Sequence, residues 1–323
     1  MLRQFAGSLA ILIAFVLNDA AEAQPKYRMG FLTVTTPSGM AARVERFRQG
    51  LRELGYVEGQ NLTIEYRWGE GRSERLPALA LELINAKVDL MVTHGVLATQ
   101  AAQKASATVP IICFACGDAV AVGLVRSLAR PGGNVTGQTV LAPEVSGKRV
   151  ELLREVVPAL STVAVLYNAG NPVSKPELNE TESAIRTLGF QIRSVSANSP
   201  QEFGSAFESL RGRAEALVVL SDAMFFGNRK QIADFAIRNK LSAISWSGEF
   251  AKAGLLMSYG PDVYTMAQRA AVYVDKVLKG VHPSAIPIEQ PTKFELMINA
   301  KTARTIGLTI PPALLARADE VIE

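Results

Sequence analysis

The 323-residue chain is 48% hydrophobic and 20% charged, which suits about two packed domains and excludes a disordered chain. Its 34 basic and 30 acidic residues leave a formal charge of +4, with the basic ones scattered, as in Arg43, Arg46, Arg48 and Arg52. No Lys/Arg tract is interleaved with aromatics, so no nucleic-acid partner is expected, and the mild positive balance reads as solubility.

The first element in chain order is a leader. Arg3 precedes the apolar run FAGSLAILIAFVL (5–17), and Ala21-Glu22-Ala23 supplies an A-x-A cleavage pattern. This is the form of a secretory signal peptide, residues 1–23, cut near Ala23. The run is shorter than the roughly 20 residues of a spanning helix. No cysteine lies near the cut, so no lipid anchor is expected there. No later stretch is apolar enough to cross a membrane, so the mature protein should be soluble and periplasmic.

From Tyr27 on, strands are predicted at 28–34, 62–68, 89–93, 110–115 and 135–140, with helices at 40–54, 74–85, 97–105 and 120–129. In RVERFRQGLREL, Val44, Phe47, Leu51 and Leu54 share one helical face, and Gly55 is a stop. Apolar strands alternating with helices imply a parallel sheet covered on both faces. The only two cysteines, Cys113 and Cys116, fall on the fourth strand and just past its end. Residues i and i+3 of a strand lie about 10 Å apart, beyond the reach of a disulfide. Two separate core cysteines are therefore preferred to a redox pair. One C-x-x-C also supplies too few ligands for a structural zinc site.

After RPGGNVTG (130–137) the pattern restarts. A helix at 144–157 leads into strands at 162–167, 190–196, 216–220, 242–245 and 254–258, separated by helices at 176–188, 200–210 and 229–239. A helix at 262–278 ends at Gly280. The proline-broken HPSAIPIEQPT is extended, KFELMIN is a last strand, and Pro311 and Pro312 open a final helix toward Glu323.

Ligands of open parallel sheets sit beyond the carboxyl ends of the strands. Those ends supply Thr35 and Thr36; His94, Gly95, Val96 and Thr99; Gly117 and Asp118; Asn168 and Asn171; Asp222 with Phe225 and Phe226; Trp246; and Tyr259. Small hydroxyls, amides, glycines and aromatics suit a small molecule held by hydrogen bonds and stacking. Of the adjacent Phe225 and Phe226, one is expected to face the cleft, since neighbours cannot both point inward. Trp246 fits either a cleft wall or the core. No nucleophile elbow, H-E-x-x-H motif or phosphate-binding loop is present, and neither a metal nor a cofactor is expected.

THGVLA (93–98) has strand-to-helix form. The free N–H groups of the helix start would hold a carboxylate, and Gly95 would let it approach the backbone. Three roles fit His94: a hydrogen-bond partner in the pocket, a structural cap, or a catalytic base working with Asp118 or Asp222.

These segments together resemble the ABC-transporter substrate-binding proteins, in the family that includes the tryptophan-binding TrpX-type lipoproteins. The resemblance is carried by FRQGLRELGYVEGQNLTIEYRWGEG (47–71), RLPALALEL, LARPGGNVTG (128–137), KRVELLREVVP (148–158), LMSYGPD (256–262) and QPTKFELMINAKTARTIGLTIPPALLARADEVIE (290–323). It spans nearly the whole mature chain. It implies the type I periplasmic binding protein fold: two Rossmann-like three-layer α/β lobes joined by three crossovers, with ligand in the cleft between them. The N-terminal lobe would comprise 27–141 plus 262–285, and the C-terminal lobe 142–260 plus 287–323. Crossovers would fall near Leu141, Gly260 and Pro287. His94 departs from the Gly-rich loop of many relatives at that corner, and Cys113 and Cys116 from an aliphatic residue. The lipoprotein members' attachment cysteine is missing too.

The function implied is a monomeric periplasmic binding component of an ABC importer. It would pass a small, carboxylate-bearing molecule (an amino acid or aromatic acid) to an inner-membrane permease, with no chemistry of its own. Its rivals are a secreted enzyme using His94 and a sensory module presenting ligand to a membrane receptor.

Overall fold

The computed structural model describes residues 27–140 and 142–323. The leader and the first crossover, near Leu141, lie outside them. The chain begins with β1 (Tyr27–Thr33), α1 (Pro37–Glu53), β2 (Leu62–Trp68), α2 (Leu76–Asn85), β3 (Leu90–His94), α3 (Val96–Ala105), β4 (Ile111–Phe114) and β5 (Val135–Gly137). These strands form one parallel sheet in the order β2-β1-β3-β4-β5. Thr36 caps α1, its hydroxyl accepting from the Gly39 amide at 3.1 Å. Met40, Val44, Phe47 and Leu51 of α1 are buried, whereas Leu54, expected on that face, is the C-cap and stays exposed.

The second lobe follows with α4 (Ala142–Val156), β6 (Thr162–Tyr167), α5 (Ser174–Thr187), β7 (Gln191–Ser196), α6 (Phe203–Leu210), β8 (Ala216–Val219), α7 (Ala223–Gly227), α8 (Arg229–Arg238), β9 (Ser242–Ser245), α9 (Gly248–Ala253) and β10 (Met257–Pro261). The chain then returns to pack α10 (Val263–Leu278) against α1. It crosses back through β11 (Phe294–Asn299), α11 (Ala300–Ile306), α12 (Pro312–Leu315) and β12 (Glu320–Ile322). This sheet runs β12-β11-β10-β9-β8-β6-β7, with only β11 antiparallel to its neighbour β10. Its stretch β7-β6-β8-β9-β10 repeats the strand order of the first sheet.

The crossings lie side by side. Pro261 of β10 pairs with Phe294 of β11, and Gln138, just beyond β5, bridges Glu289. The Thr139 amide donates to the Glu289 carbonyl at 2.9 Å, and the Glu289 amide donates to Gly137 at 3.0 Å.

Four local expectations need correction. No helix forms over 120–129: Gly123 takes φ 72° and the segment is a series of turns before the Pro131-Gly132-Gly133 break. The strand expected at 254–258 is β10 instead, because Gly254 terminates α9 in the left-handed region. The last helix is only Pro312–Leu315, and the chain ends in β12, paired to β11. Finally, Cys113 and Cys116 are both buried, as expected, but are joined as a disulfide with Cα atoms 5.9 Å apart. The strand stops at Phe114 and Ala115 adopts φ 59°, so the chain folds back instead of running on extended.

Candidate functional site

Repeating the strand order gives each lobe a point where sequential connections diverge, between β1 and β3 in one and between β6 and β8 in the other. Crevices open at the carboxyl ends of such strand pairs. The ends of β3, β6 and β8 meet across the lobes around one cavity of about 30 Å³. His94, Gly95, Val96, Ala115, Gly117 and Val140 line it from the first lobe; Asn171, Val173, Ser221, Asp222, Ala223 and Trp246 line it from the second. Ligand pockets ordinarily run to about 300–1,000 Å³, so the cavity as it stands is far smaller than a ligand pocket.

At the first-lobe wall, Gly95 takes φ 82° and α3 begins at Val96 with no side chain capping its first turn. Those amides carry the positive end of a ten-residue helix. Opposite stands Asp222. Its Oδ1 caps α7, accepting from the amides of Met224 (2.8 Å) and Phe225 (3.0 Å). Its Oδ2 accepts from Asn168 Nδ2 (2.9 Å) and Asn171 Nδ2 (2.8 Å). Among the described residues no cation pairs with it. Burial pushes its carboxyl above the usual range, opposed first by Asn171 and then by the other donors. Beneath Ser221, Glu177 accepts from the Ser221 amide and hydroxyl and pairs with buried Arg149 at 2.9 Å. The Trp246 indole N–H is buried and has no hydrogen-bond partner among the described residues. Gly260 lets this wall form, because a Cβ there would fall 1.6 Å from the Trp246 carbonyl oxygen.

His94 is 2% exposed and both its ring nitrogens are engaged. Nε2 lies 2.9 Å from Arg43 Nη1, and Nδ1 lies 3.4 Å from Thr33 Oγ1. A guanidinium only donates, so Nε2 accepts and the proton sits on Nδ1, facing Thr33. Burial, and then Arg43, lowers the imidazole pKa well below its ordinary value. The catalytic-base reading therefore lacks its geometry. The acceptor lone pair is occupied, and neither carboxylate is a hydrogen-bond partner of the ring, whose contacts are Thr33 and Arg43; Asp118 accepts instead from the amides of Val120 and Ala121.

Not every residue expected at the site reaches the cavity. Thr35 is buried against Thr33 and near Gly227, and Thr36 is the cap of α1. Thr99 turns into its own lobe, its hydroxyl 2.9 Å from the Gly95 carbonyl and 3.1 Å from Cys113 Sγ. Asn168 stands behind Asn171 as a support for Asp222. Phe225 packs into the second lobe on Phe203, whereas Phe226 reaches the lobe boundary, 6.0 Å from the His94 ring. Tyr259 stacks on Phe294 near the hinge.

Sequence reasoning passed over Arg43. It is 1% exposed and lies within α1, where Met40, Val44 and Phe47 already mark the buried face; that spacing was its only signal. Its guanidinium sits 3.5 Å from the Phe226 centroid and pairs with Glu249 of α9. Among the described residues no helix is long and apolar enough to cross a membrane, and no cluster of potential metal ligands occurs.

Comparison with known proteins is consistent over nearly the whole chain. A tyrosine-binding protein of Clostridioides difficile (strain R20291) is 24% identical over 291 residues, covering 90% of this chain and 84% of the relative. A conserved domain protein from Vibrio cholerae superposes with a TM-score of 0.86 at 25% identity, covering 92% of this chain and 99% of that one. The ABC domain in complex with L-Trp from Streptococcus pneumonia gives 0.85 at 24% identity, covering 92% and 100%. The ligand-free, open structure of a substrate-binding protein with adhesive properties from Clostridium difficile gives 0.63 at 22% identity, covering 92% and 99%. The family model described as ABC transporter substrate binding protein matches residues 31–322, and the chain belongs to that family.

Proposed function

We propose that the protein is the periplasmic binding component of an ABC importer for an α-amino acid, carrying an aromatic one such as tryptophan or tyrosine to an inner-membrane permease. One observation carries the choice of ligand. A buried carboxylate without a cationic partner among the described residues, Asp222, faces the uncapped start of α3 across the small cavity at the strand ends. An ammonium group neutralises the first and a carboxylate satisfies the second. Trp246 offers an aromatic face and an unpartnered N–H beside them, and Val96, Val140 and Val173 supply an apolar wall. The relatives named for tyrosine and solved with L-Trp support the same ligand class. Export by residues 1–23 places the monomeric protein where such a permease collects its cargo.

Thermal-shift titration tests this. L-tryptophan or L-tyrosine should raise the melting temperature, the gain reaching about 2.7 kcal/mol at a hundred times Kd. Tryptamine and indole-3-propionate each lack one of the two charges and should bind much more weakly. Asp222→Asn should weaken the amino acid roughly 10- to 100-fold. Stabilisation by uncharged sugars, with none by amino acids, would remove the proposal.

A further inference from the structure

The lobes are also joined through a polar bridge that the ligand reading does not use. Arg43 lies on α1 in the first lobe and Glu249 on α9 in the second; their side chains are 0% and 5% exposed. Arg43 Nε donates to Glu249 Oε2 at 2.8 Å and Nη2 to the same oxygen at 2.5 Å. Nη2 also reaches Ser247 Oγ at 3.3 Å, and Nη1 donates to His94 Nε2. The guanidinium face lies on the Phe226 ring and 5.4 Å from the Trp246 centroid. Tyr264, on α10 of the first lobe, lines one cavity with Glu249, and burial and then the Glu249 carboxylate raise the pKa of its hydroxyl. Arg229 of α8 donates 3.3 Å to the Gly39 carbonyl, a second tie from α1 to the second lobe.

We propose that Arg43 and Glu249 are affinity-determining positioning residues: their bridge holds the lobes closed and fixes His94 and Trp246 on opposite walls of the ligand cavity. All but one of the fixed points of the guanidinium lie on the second lobe. Two of its partners, Ser247 and Glu249, lie one and three residues after Trp246, and a third is the ring of His94. Opening the hinge separates α1 from α9, so it must break the contacts to Glu249 and Ser247 together and lift the guanidinium off the Phe226 ring, while the contact to His94 stays within the first lobe. An unpaired charge of this kind is strongly disfavoured while buried, and it is relieved when water enters an open cleft. The bridge therefore biases the hinge without touching the ligand. The overall likeness is greater to the L-Trp complex than to the ligand-free open relative, in keeping with a closed arrangement.

Small-angle scattering of the full mature chain without added ligand tests the bridge, and circular dichroism checks that each variant is folded. Glu249→Gln should enlarge the radius of gyration relative to the parent. Tyr264→Phe, a milder change at the same carboxylate, should shift it in the same direction by less and covers the case in which Glu249→Gln does not fold. A folded Glu249→Gln protein, or failing that a folded Tyr264→Phe protein, with the parent's radius overturns the proposal. A role confined to stability would lower the melting temperature and leave the radius unmoved. The affinity part rests on the amino-acid reading and uses L-tryptophan and L-tyrosine as probes. Glu249→Gln should weaken whichever one the parent binds roughly tenfold or more, since apparent affinity falls with the closed fraction. Unchanged affinity in a folded variant overturns it. If the parent binds neither probe, the ligand reading fails, while the scattering result still decides the bridge.

Discussion

His94 shows how a residue's chemistry is set by what meets it. The sequence supplied an imidazole at a strand end, and the fold turned both ring nitrogens into fixed contacts with Thr33 and Arg43. A group whose folded pKa is depressed stabilises the fold fully above its unfolded value, about 6.5, and that stability is lost as pH falls toward the folded value. The contribution has a slope of at most about 1.4 kcal/mol per pH unit. Glu177 and Asp222, raised by burial, act in the opposite sense at lower pH. Comparison with His94→Gln separates the terms: glutamine keeps an acceptor for Arg43 and does not titrate. The parent should lose more stability than His94→Gln between pH 6.5 and 5, measured by denaturant unfolding, and parallel losses would contradict the assignment. Arg43 was illegible for the complementary reason. Arginine is almost never buried unless paired, and its partner Glu249 lies 206 positions away in sequence.

At the scale of elements, periodicity located most strands and helices, because burial imposes the same spacing on any chain that must cover a parallel sheet. It failed where single residues decide. The apolar residues of 120–129 mimic a helix, but Gly123 and the following Pro-Gly-Gly break it into turns. Ala115 does the same at the end of β4, where a left-handed residue converts two strand cysteines into a bridged turn. Ala115 and Gly117, within or next to that turn, both line the cavity. Closing so short a loop contributes about 2 kcal/mol by chain entropy. Reduction should therefore destabilise the first lobe by up to that amount and weaken ligand binding together. Calorimetry with and without a phosphine reductant measures both. Unchanged melting with two titratable thiols would remove the coupling.

For the whole molecule, the restart of the α/β pattern announced two lobes, and the C-terminal block announced the family. The meeting of the β3, β6 and β8 ends was legible in outline, since strand ends are where such sheets bind. Which side chains face the cavity was not. Thr99, Asp118, Phe225 and Tyr259 all follow strands or lie at their ends, yet each is turned away by a local hydrogen bond or a ring contact. Facing is a property of three-dimensional packing, and strand position alone does not determine it.

The stitching of the crossings has a mechanical consequence. Gln138 with Glu289, and β10 with β11, tie neighbouring passages between the lobes into short hydrogen-bonded ribbons. Ribbons bend easily out of plane and resist shear, so the lobes share one soft axis, and twisting or sliding about any other would break backbone hydrogen bonds. The conformational coordinate is then one-dimensional. Two pairs of fluorescent labels spanning the cleft at different places should relax with a single common rate after a ligand jump, and two distinct rates would show that the ribbons act as independent joints. With one coordinate, any partner that touched both lobes would need to sense only an angle.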